Sequence, residues 1–393
     1  MYIFAVTITI VTGLVGLEWL VRNCFALRVW QGIFRLTPEA PVTRANAPLL
    51  SVVVAAKDEQ DHIGPCIESL LRQDYPSIEI IVVDDRSEDN TADIIREIQA
   101  RDSRVRSLKI DSLPEGWCGK NHAMQHGIAR ASGEWICMTD ADCRLDSPRT
   151  LAVAMHHAMQ TNAAMLSLLP TMTMVSLWEK FLQPILSGVL MIWFPPKKVN
   201  DPARPEAYAN GMFMLLRRDA YQTIGTHEAI RSSLIEDMDL ARNIKSAGLK
   251  LQMVPTRGLF SVRMYTSLGQ IIRGWVRIFH GCFGSFVGLA KATGVLVGRG
   301  LTPTVGMSVG FAMYATGVNP TQWWLACGCV GAAGLAAQLV MICRYYRYFG
   351  TSWQLGCFYP LGCSIAAGVL VGTMFKLRPG AKMTWRGTEY RAG

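Results

Sequence analysis

Charge is what this 393-residue sequence has least of. Asp, Glu, Lys and Arg make up 18% of it, where a soluble domain carries about 25%. Half of the residues are hydrophobic, and mean hydropathy is +0.20. The shortfall points to segments lying in lipid. The cysteines lack a pattern: there are 11, with no C-x-x-C pair, and Cys327 and Cys329 fall in an apolar run. A zinc site needs clustered ligands at set spacing, so these thiols read as small apolar residues. No solenoid-type repeat or low-complexity tract is evident. The net charge of +9 leaves nucleic acid, an anionic membrane surface and phosphorylated ligands open. No Lys/Arg run interleaves with aromatics as a nucleic-acid module requires. The basic residues sit beside apolar segments, so the expected partner is a membrane and not nucleic acid.

Residues 2–21 form an apolar stretch near bilayer length, interrupted by Glu18. It has no basic n-region and no clear small-residue cleavage site, so 1–22 reads as a transmembrane helix rather than a signal peptide. Arg22, Arg28, Arg35 and Arg44 follow, with no acid between Trp19 and Pro38. Positive-inside reasoning puts this flank in the cytoplasm and the N-terminus outside.

Residues 48–282 read as an α/β domain. Short β-branched runs at 50–55 and 78–83, with further strands at 105–110 and 134–139, alternate with helical patterns at 61–73, 91–100 and 120–131. Such alternation predicts a mostly parallel sheet with helices on both faces, binding ligands at the carboxyl ends of its strands. Residues 165–196 are apolar yet contain Glu179 and Lys180. They read as a membrane-surface helix, with a core helix as the alternative.

Residues 285–376 turn apolar again. Segments 301–318, 323–343 and 355–375 approach spanning length. The segment 286–297, with Lys291 inside, is interfacial or a fourth span. With three spans the basic tail at 377–393 falls outside; with four, Arg344 and Arg347 do. Gly-x-x-x-Gly pairs at Gly294/Gly298, Gly306/Gly310 and Gly368/Gly372 permit close helix packing.

Five clusters carry possible chemistry. Asp84-Asp85 follows a buried strand, where a carboxylate can accept hydrogen bonds from a base or ribose; capping of the next helix is the alternative. Asp58-Glu59 repeats that placement after the first strand. Asp140-Ala141-Asp142 projects from a third strand end. Two bare carboxylates would repel a diphosphate, and a divalent cation between them resolves this. All-oxygen ligands suit Mg²⁺ or Mn²⁺; a solvated turn is the alternative. Glu236-Asp237 opens a helix, where acids favour the dipole, but Asp237 also suits a general base taking the proton of an attacking hydroxyl. Gly211, before Arg217-Arg218, lets backbone approach a ligand closely. Gln270, Arg273 and Trp275 form a cationic, aromatic cluster on the acceptor side or an interfacial anchor.

These blocks, in this order, resemble family 2 glycosyltransferases. The likeness covers residues 48–280, through 69–76 (SLLRQDYP), 84–91 (DDRSEDNT), Gly133-Glu134-Trp135 and Asp140-Ala141-Asp142. Residues 113–120 (LPEGWCGK), 199–202 (VNDP), 263–265 (RMY) and Trp385-Arg386-Gly387 are similar to a membrane-bound branch that glycosylates lipids. That branch includes hopanoid-associated, carotenoid-acid and ceramide glycosyltransferases.

The resemblance implies a GT-A fold, the Rossmann-like nucleotide-diphospho-sugar transferase architecture, with one N-terminal and three to four C-terminal transmembrane helices. It implies that Asp58, Glu59, Asp84 and Asp85 line the nucleotide pocket and that Lys120 approaches the nucleotide or its diphosphate. Asp140 and Asp142 would hold metal and diphosphate, and Asp237 would be the base of an inverting transfer. Relatives carry Q-x-x-R-W where Gly274 here separates Arg273 from Trp275. The expected enzyme moves one sugar from a UDP- or GDP-type donor to a lipid, from a cytoplasmic domain at a bacterial inner membrane. A processive polysaccharide synthase and a non-catalytic membrane scaffold are the competing readings.

Overall fold

A computed structural model of the chain describes residues 1–42, 46–378, 382–385 and 388–391. Arg44, Arg386 and Gly387 lie outside the described residues. The chain divides into two compact units. One comprises 34–173 with 193–264, the other 1–33, 174–192 and 265–393. The expected domain limit at 282 therefore differs: the sheet-bearing unit ends before the helix Leu268–Phe283 begins.

The α/β unit is built on a seven-stranded sheet. In chain order its strands are β1 (Leu50–Ala56), β2 (Ile78–Asp85), β3 (Val105–Ile110), β4 (Trp135–Asp140), β5 (Met165–Leu169), β6 (Phe213–Arg217) and β7 (Leu251–Pro255). Their order across the sheet is β3-β2-β1-β4-β6-β5-β7. β1 and β2 are β-branched and buried nearly throughout, because helices cover both faces and no side needs to be polar. The helix Ile63–Leu71 buries Ile63, Cys66, Ile67 and Leu70, the i, i+3, i+4, i+7 stripe its sequence predicts. The helix Gly119–Ala129 sits closer. A Cβ at Gly127 would stand 2.5 Å from Val53 and 2.8 Å from Val83, so only glycine lets this helix lie flat on β1 and β2.

The sheet is mostly parallel as expected, with β6 alone running antiparallel to its neighbours β4 and β5. One expectation fails here: residues 165–196 are not one helix. Met165–Leu169 forms β5, paired with β6 and β7, and helix begins only at Leu177 and runs to Trp193. The five-residue run before Pro170 is too short for a helix, and proline ends it.

In the helical unit, Tyr2–Phe25, Thr321–Tyr348 and Trp353–Lys376 are, among the described residues, long and apolar enough to cross a membrane. Leu268–Phe283 and Phe286–Ala315 pass the same test only as a pair, bent by 117°. The separate segments expected at 286–297 and 301–318 are one helix, Phe286–Ala315, continuing through Pro303.

Proline removes the hydrogen bond to the carbonyl four residues back, here that of Arg299. Two neighbouring helices supply the missing donors: Trp19 Nε1 at 2.8 Å and Gln338 Nε2 at 3.0 Å. In an apolar environment that compensation is what permits the proline. Glu18 is paired likewise, with Arg22 at 2.7 Å and Arg299 at 3.1 Å.

The Gly-x-x-x-Gly pairs separate into two kinds. A Cβ at Gly306 would strike Thr12 at 2.5 Å and one at Gly310 would strike Gly328 at 2.3 Å. Gly294, Gly298, Gly368 and Gly372 face open space. The first helix and Thr321–Tyr348 run in the same direction: Tyr2 meets Trp323, Gly16 meets Gly334, and Asn23 donates to the Ala337 carbonyl at 2.7 Å. Phe286–Ala315 runs opposite to both. Arg344 donates to Asn23 Oδ1 at 3.3 Å, which places it at the same end of the bundle as Arg22.

Replacing Gln338 with Leu should leave the Arg299 carbonyl short of a donor in apolar surroundings. We expect a destabilisation of about 1–2 kcal/mol, read as a lower Tm of the detergent-solubilised protein. An unchanged Tm would contradict the account of Pro303.

Candidate active site

The parallel register brings three strand ends together. Ala56 of β1 is level with Asp84 of β2, and Ala55 is level with Asp140 of β4. Adjacent strands lie about 4.8 Å apart, so the acids at these ends share one edge of the sheet. β6 reaches the same edge from the other direction. Thr139 is level with Phe213, and the approach to β6 therefore places Asn210 and Gly211 beside Asp140.

At that edge Lys120 joins two elements. Its Nζ lies 2.5 Å from Asp140 Oδ1 and 2.5 Å from Glu236 Oε1, with its side chain only 14% exposed. Burial opposes the charge, but the two carboxylates outweigh it and hold the ammonium well above the ordinary lysine value. Asp237 is half-buried beside this pair. Its Oδ2 accepts from the Gly211 N–H at 2.9 Å, and its Oδ1 from the Met238 N–H at 2.7 Å. Burial, and then the Glu236 carboxylate, push its pKa up to about 7 against the pull of Lys120.

A Cβ at Gly211 would stand 3.3 Å from Glu236 Oε1, 3.4 Å from Asp237 Oδ2 and 3.5 Å from Lys120 Nζ. Five residues singled out from the sequence thus converge: Lys120, Asp140, Gly211, Glu236 and Asp237.

The acids that follow β1 and β2 form a second group on the same edge. Asp84 Oδ1 accepts from the Ser87 N–H at 3.2 Å, while its buried Oδ2 has no partner. Asp85 is forked by Arg86 Nε and Nη2 at 2.8 and 3.0 Å. It also abuts Gly119, where a Cβ would fall 2.7 Å from its Oδ2. Asp58, at φ 52°, accepts from the Glu88 N–H at 2.8 Å. The Glu59 N–H donates to Thr91 Oγ1 at 2.8 Å. These bonds tie the loops after β1 and β2 into one wall.

Asp140, Asp142 and Cys143 offer ligand atoms within 4.8 Å of one another. Asp142 is exposed, and the carboxylates supply the hard oxygens that Mg²⁺ or Mn²⁺ prefers. Burial, followed by the Asp140 and Asp142 charges, keeps the Cys143 thiol protonated. The donor set therefore fits a hard divalent cation shared with a ligand's own oxygens.

Gln270, Arg273 and Trp275 belong to the helical unit. Gln270 Oε1 accepts from the Thr266 N–H and hydroxyl, both at 2.9 Å, and its own N–H donates to Ser267 Oγ at 3.3 Å. The Ser267 side chain thereby caps the helix Leu268–Phe283. Trp275 is buried with Ile271 and Phe279 on one face, while Arg273 is exposed on the other. Gly274 gives its place to the ring of Tyr265, which a Cβ there would strike at 2.1 Å.

One residue escaped sequence reasoning. Asn121 is wholly buried, and its Nδ2 donates to the carbonyls of Ile230 and Ser233 at 2.7 and 2.9 Å. The Cys118 N–H donates to the Arg231 carbonyl at 2.7 Å. Together they pin the loop that leads into Glu236 and Asp237. Only adjacency to Lys120 hinted at this; the partner loop lies more than 100 positions away.

Residues 51–225 match the glycosyl transferase family 2 model. The 4,4'-diaponeurosporenoate glycosyltransferase of Staphylococcus aureus (strain USA300) is 26% identical over 243 residues, covering 61% of this chain and 63% of that protein. Its counterpart in Staphylococcus haemolyticus (strain JCSC1435) is 25% identical over 230 residues, 58% and 60% of the two chains. The chain thus spans somewhat less than two thirds of the length of these relatives. Among solved structures, a mannosyltransferase from Pyrobaculum calidifontis in complex with GDP-Man and Mn²⁺ superposes with TM-score 0.55 at 16% identity, covering 84% of this chain and 97% of that one. That likeness is one of fold. The family match and the shared fold lead to one conclusion: residues 51–225 match a family 2 glycosyltransferase domain, and the sheet that holds them is of the GT-A type.

Proposed function

We propose that the chain transfers a single sugar from a UDP- or GDP-sugar to a hydroxyl or carboxyl of a membrane lipid, with inversion at the anomeric carbon. The observation that carries this reading is Asp237. It is a half-buried carboxylate poised near neutrality, set in an α/β domain beside the acids of a strand edge.

A general base works best with a pKa near the working pH. The acceptor oxygen attacks the anomeric carbon, its proton passes to Asp237, and the bond from that carbon to the diphosphate oxygen breaks. For a carboxyl acceptor that is already ionised, no proton moves. The Gly211 N–H holds Asp237 in place. Asp84, Asp85, Asp58 and Glu59 would receive the nucleoside, and Lys120 would meet the diphosphate. A Mg²⁺ or Mn²⁺ ion held by Asp140 and Asp142 would neutralise the departing phosphate charge.

The lipid acceptor is supported by the apolar helices and by relatives named for 4,4'-diaponeurosporenoate. Arg22 and Arg344 share one end of the bundle, and by the positive-inside rule that end is cytoplasmic. The α/β unit, which follows the first helix in the chain, would then work at the cytoplasmic face.

Asp237→Asn should cut transfer by about 10²–10⁴-fold while donor binding, measured by calorimetry, stays within a factor of two or so. Normal turnover in this variant would remove Asp237 from the mechanism. With a hydroxyl acceptor, kcat/KM should fall about tenfold per pH unit below about 7, because the base is lost as Asp237 takes up a proton. A profile flat from pH 5 to 8 would count against a base with this pKa. Incubating the purified protein with labelled UDP- and GDP-sugars and total membrane lipid should give one lipid product carrying a single sugar. A ladder of products would favour a processive synthase instead.

A further inference from the structure

Lys120 holds the place where a metal-bearing site would be expected to hold only acids. We infer that Lys120 is a resident cation that makes metal binding conditional on the nucleotide diphosphate, so that the ion enters with the donor and not before it. This deepens the proposed function and rests on its reading of Asp140 and Asp142 as the metal's ligands.

The argument starts from charge. Lys120 Nζ contacts Asp140 Oδ1 and Glu236 Oε1, each at 2.5 Å. The lysine side chain is 14% exposed and that of Glu236 9%, so water screens this triad poorly. Asp140 is also one of the residues whose ligand atoms gather for a cation, with Asp142 and Cys143. The ammonium and the metal therefore draw on the same carboxylate.

Without a donor, an incoming divalent ion meets a fixed positive charge at Asp140 and finds only Asp142 as a second carboxylate. The Cys143 sulfur is buried and is a soft ligand, so it does not make good the loss. A diphosphate changes the balance, because its oxygens supply negative charge to both cations at once. The ammonium carries three donors. It can keep Glu236 and turn one donor to phosphate, giving up its hold on Asp140. Helix Gly119–Ala129 holds the lysine backbone against β1 and β2, so this exchange needs only the flexible side chain to move.

The test measures Mn²⁺ binding directly, by the loss of the free-ion electron paramagnetic resonance signal. The samples are the full-length protein in detergent, alone and with UDP or GDP. For the wild type, either UDP or GDP should tighten Mn²⁺ binding by at least about tenfold beyond its affinity for the nucleotide in solution. Lys120→Met should bind Mn²⁺ about tenfold more tightly than wild type when no nucleotide is present, since like charges no longer compete. The tightening by nucleotide should shrink in that variant. Lys120→Arg, which keeps the charge, should bind the bare ion as weakly as wild type.

If Lys120→Met binds the bare ion no better than wild type, the inference is overturned. Should that variant fail to fold, equal Mn²⁺ affinity with and without nucleotide in the wild type overturns it as well. Asp140→Asn and Asp142→Asn separate the two levels. If they bind Mn²⁺–nucleotide as well as wild type does, the metal-ligand reading itself fails, not merely the role of Lys120.

Discussion

An ammonium held between two carboxylates from different parts of the chain does more than neutralise them. Lys120 comes from the helix after β3, Asp140 from the end of β4 and Glu236 from a helix almost 100 residues further on. Burying charges is expensive unless each is paired. The ion triad is therefore a constraint on assembly: the three elements must arrive together or leave a charge unpaired in a low-dielectric site. Asn121, one position along, ties the same helix to the loop before Glu236. The geometry of the candidate site and the assembly of the domain meet at two neighbouring residues, and strain in either disturbs both.

The strand-end acids of this arrangement are legible in the sequence for a simple reason. Strands buried on both faces read as unbroken β-branched runs, and an acid directly after such a run must emerge at the sheet edge. Asp84-Asp85 and Asp140 are placed that way by sequence alone. Their mutual proximity follows from strand order β2-β1-β4, which the alternation of strand and helix does not by itself fix. What the pattern did not carry was β6. Phe213–Arg217 follows a loop and runs antiparallel, so it has no βαβ signature, and Gly211 was marked only as a place for close approach. The run at 165–196 misled because a five-residue apolar strand and the start of an apolar helix look alike. Only pairing to β6 and β7 decides between them.

The helical unit is less legible because its key contacts are between distant residues of bland type. The sequence divides into apolar segments at 286–297 and 301–318, with Pro303 early in the second. The structure keeps one helix because Trp19 and Gln338, from two other helices, donate to the carbonyl that proline leaves bare. Glu18, a blemish in an apolar run, is similarly explained by Arg299, 281 positions away. The charge puzzle posed by Arg344 yields to direction. Because Thr321–Tyr348 runs alongside the first helix and not against it, its last turn lies at the end where Arg22 lies.

The antiparallel course of β6 has a consequence for how such a site can diversify. β1, β2 and β4 deliver their final residues to the functional edge, so acids there are tied to the register of the sheet core. β6 delivers the loop that precedes it. The ends of that loop are fixed: Asn200 is bonded to the Met253 backbone, the Asn210 N–H donates to Ser167 Oγ, and Gly211 is packed against Glu236, Asp237 and Lys120. Residues 201–206 between them lie outside the ladder and can lengthen, shorten or change composition. The molecule therefore carries a rim set by the register of the sheet and, beside it, a lip whose middle can change while the rim stays in place.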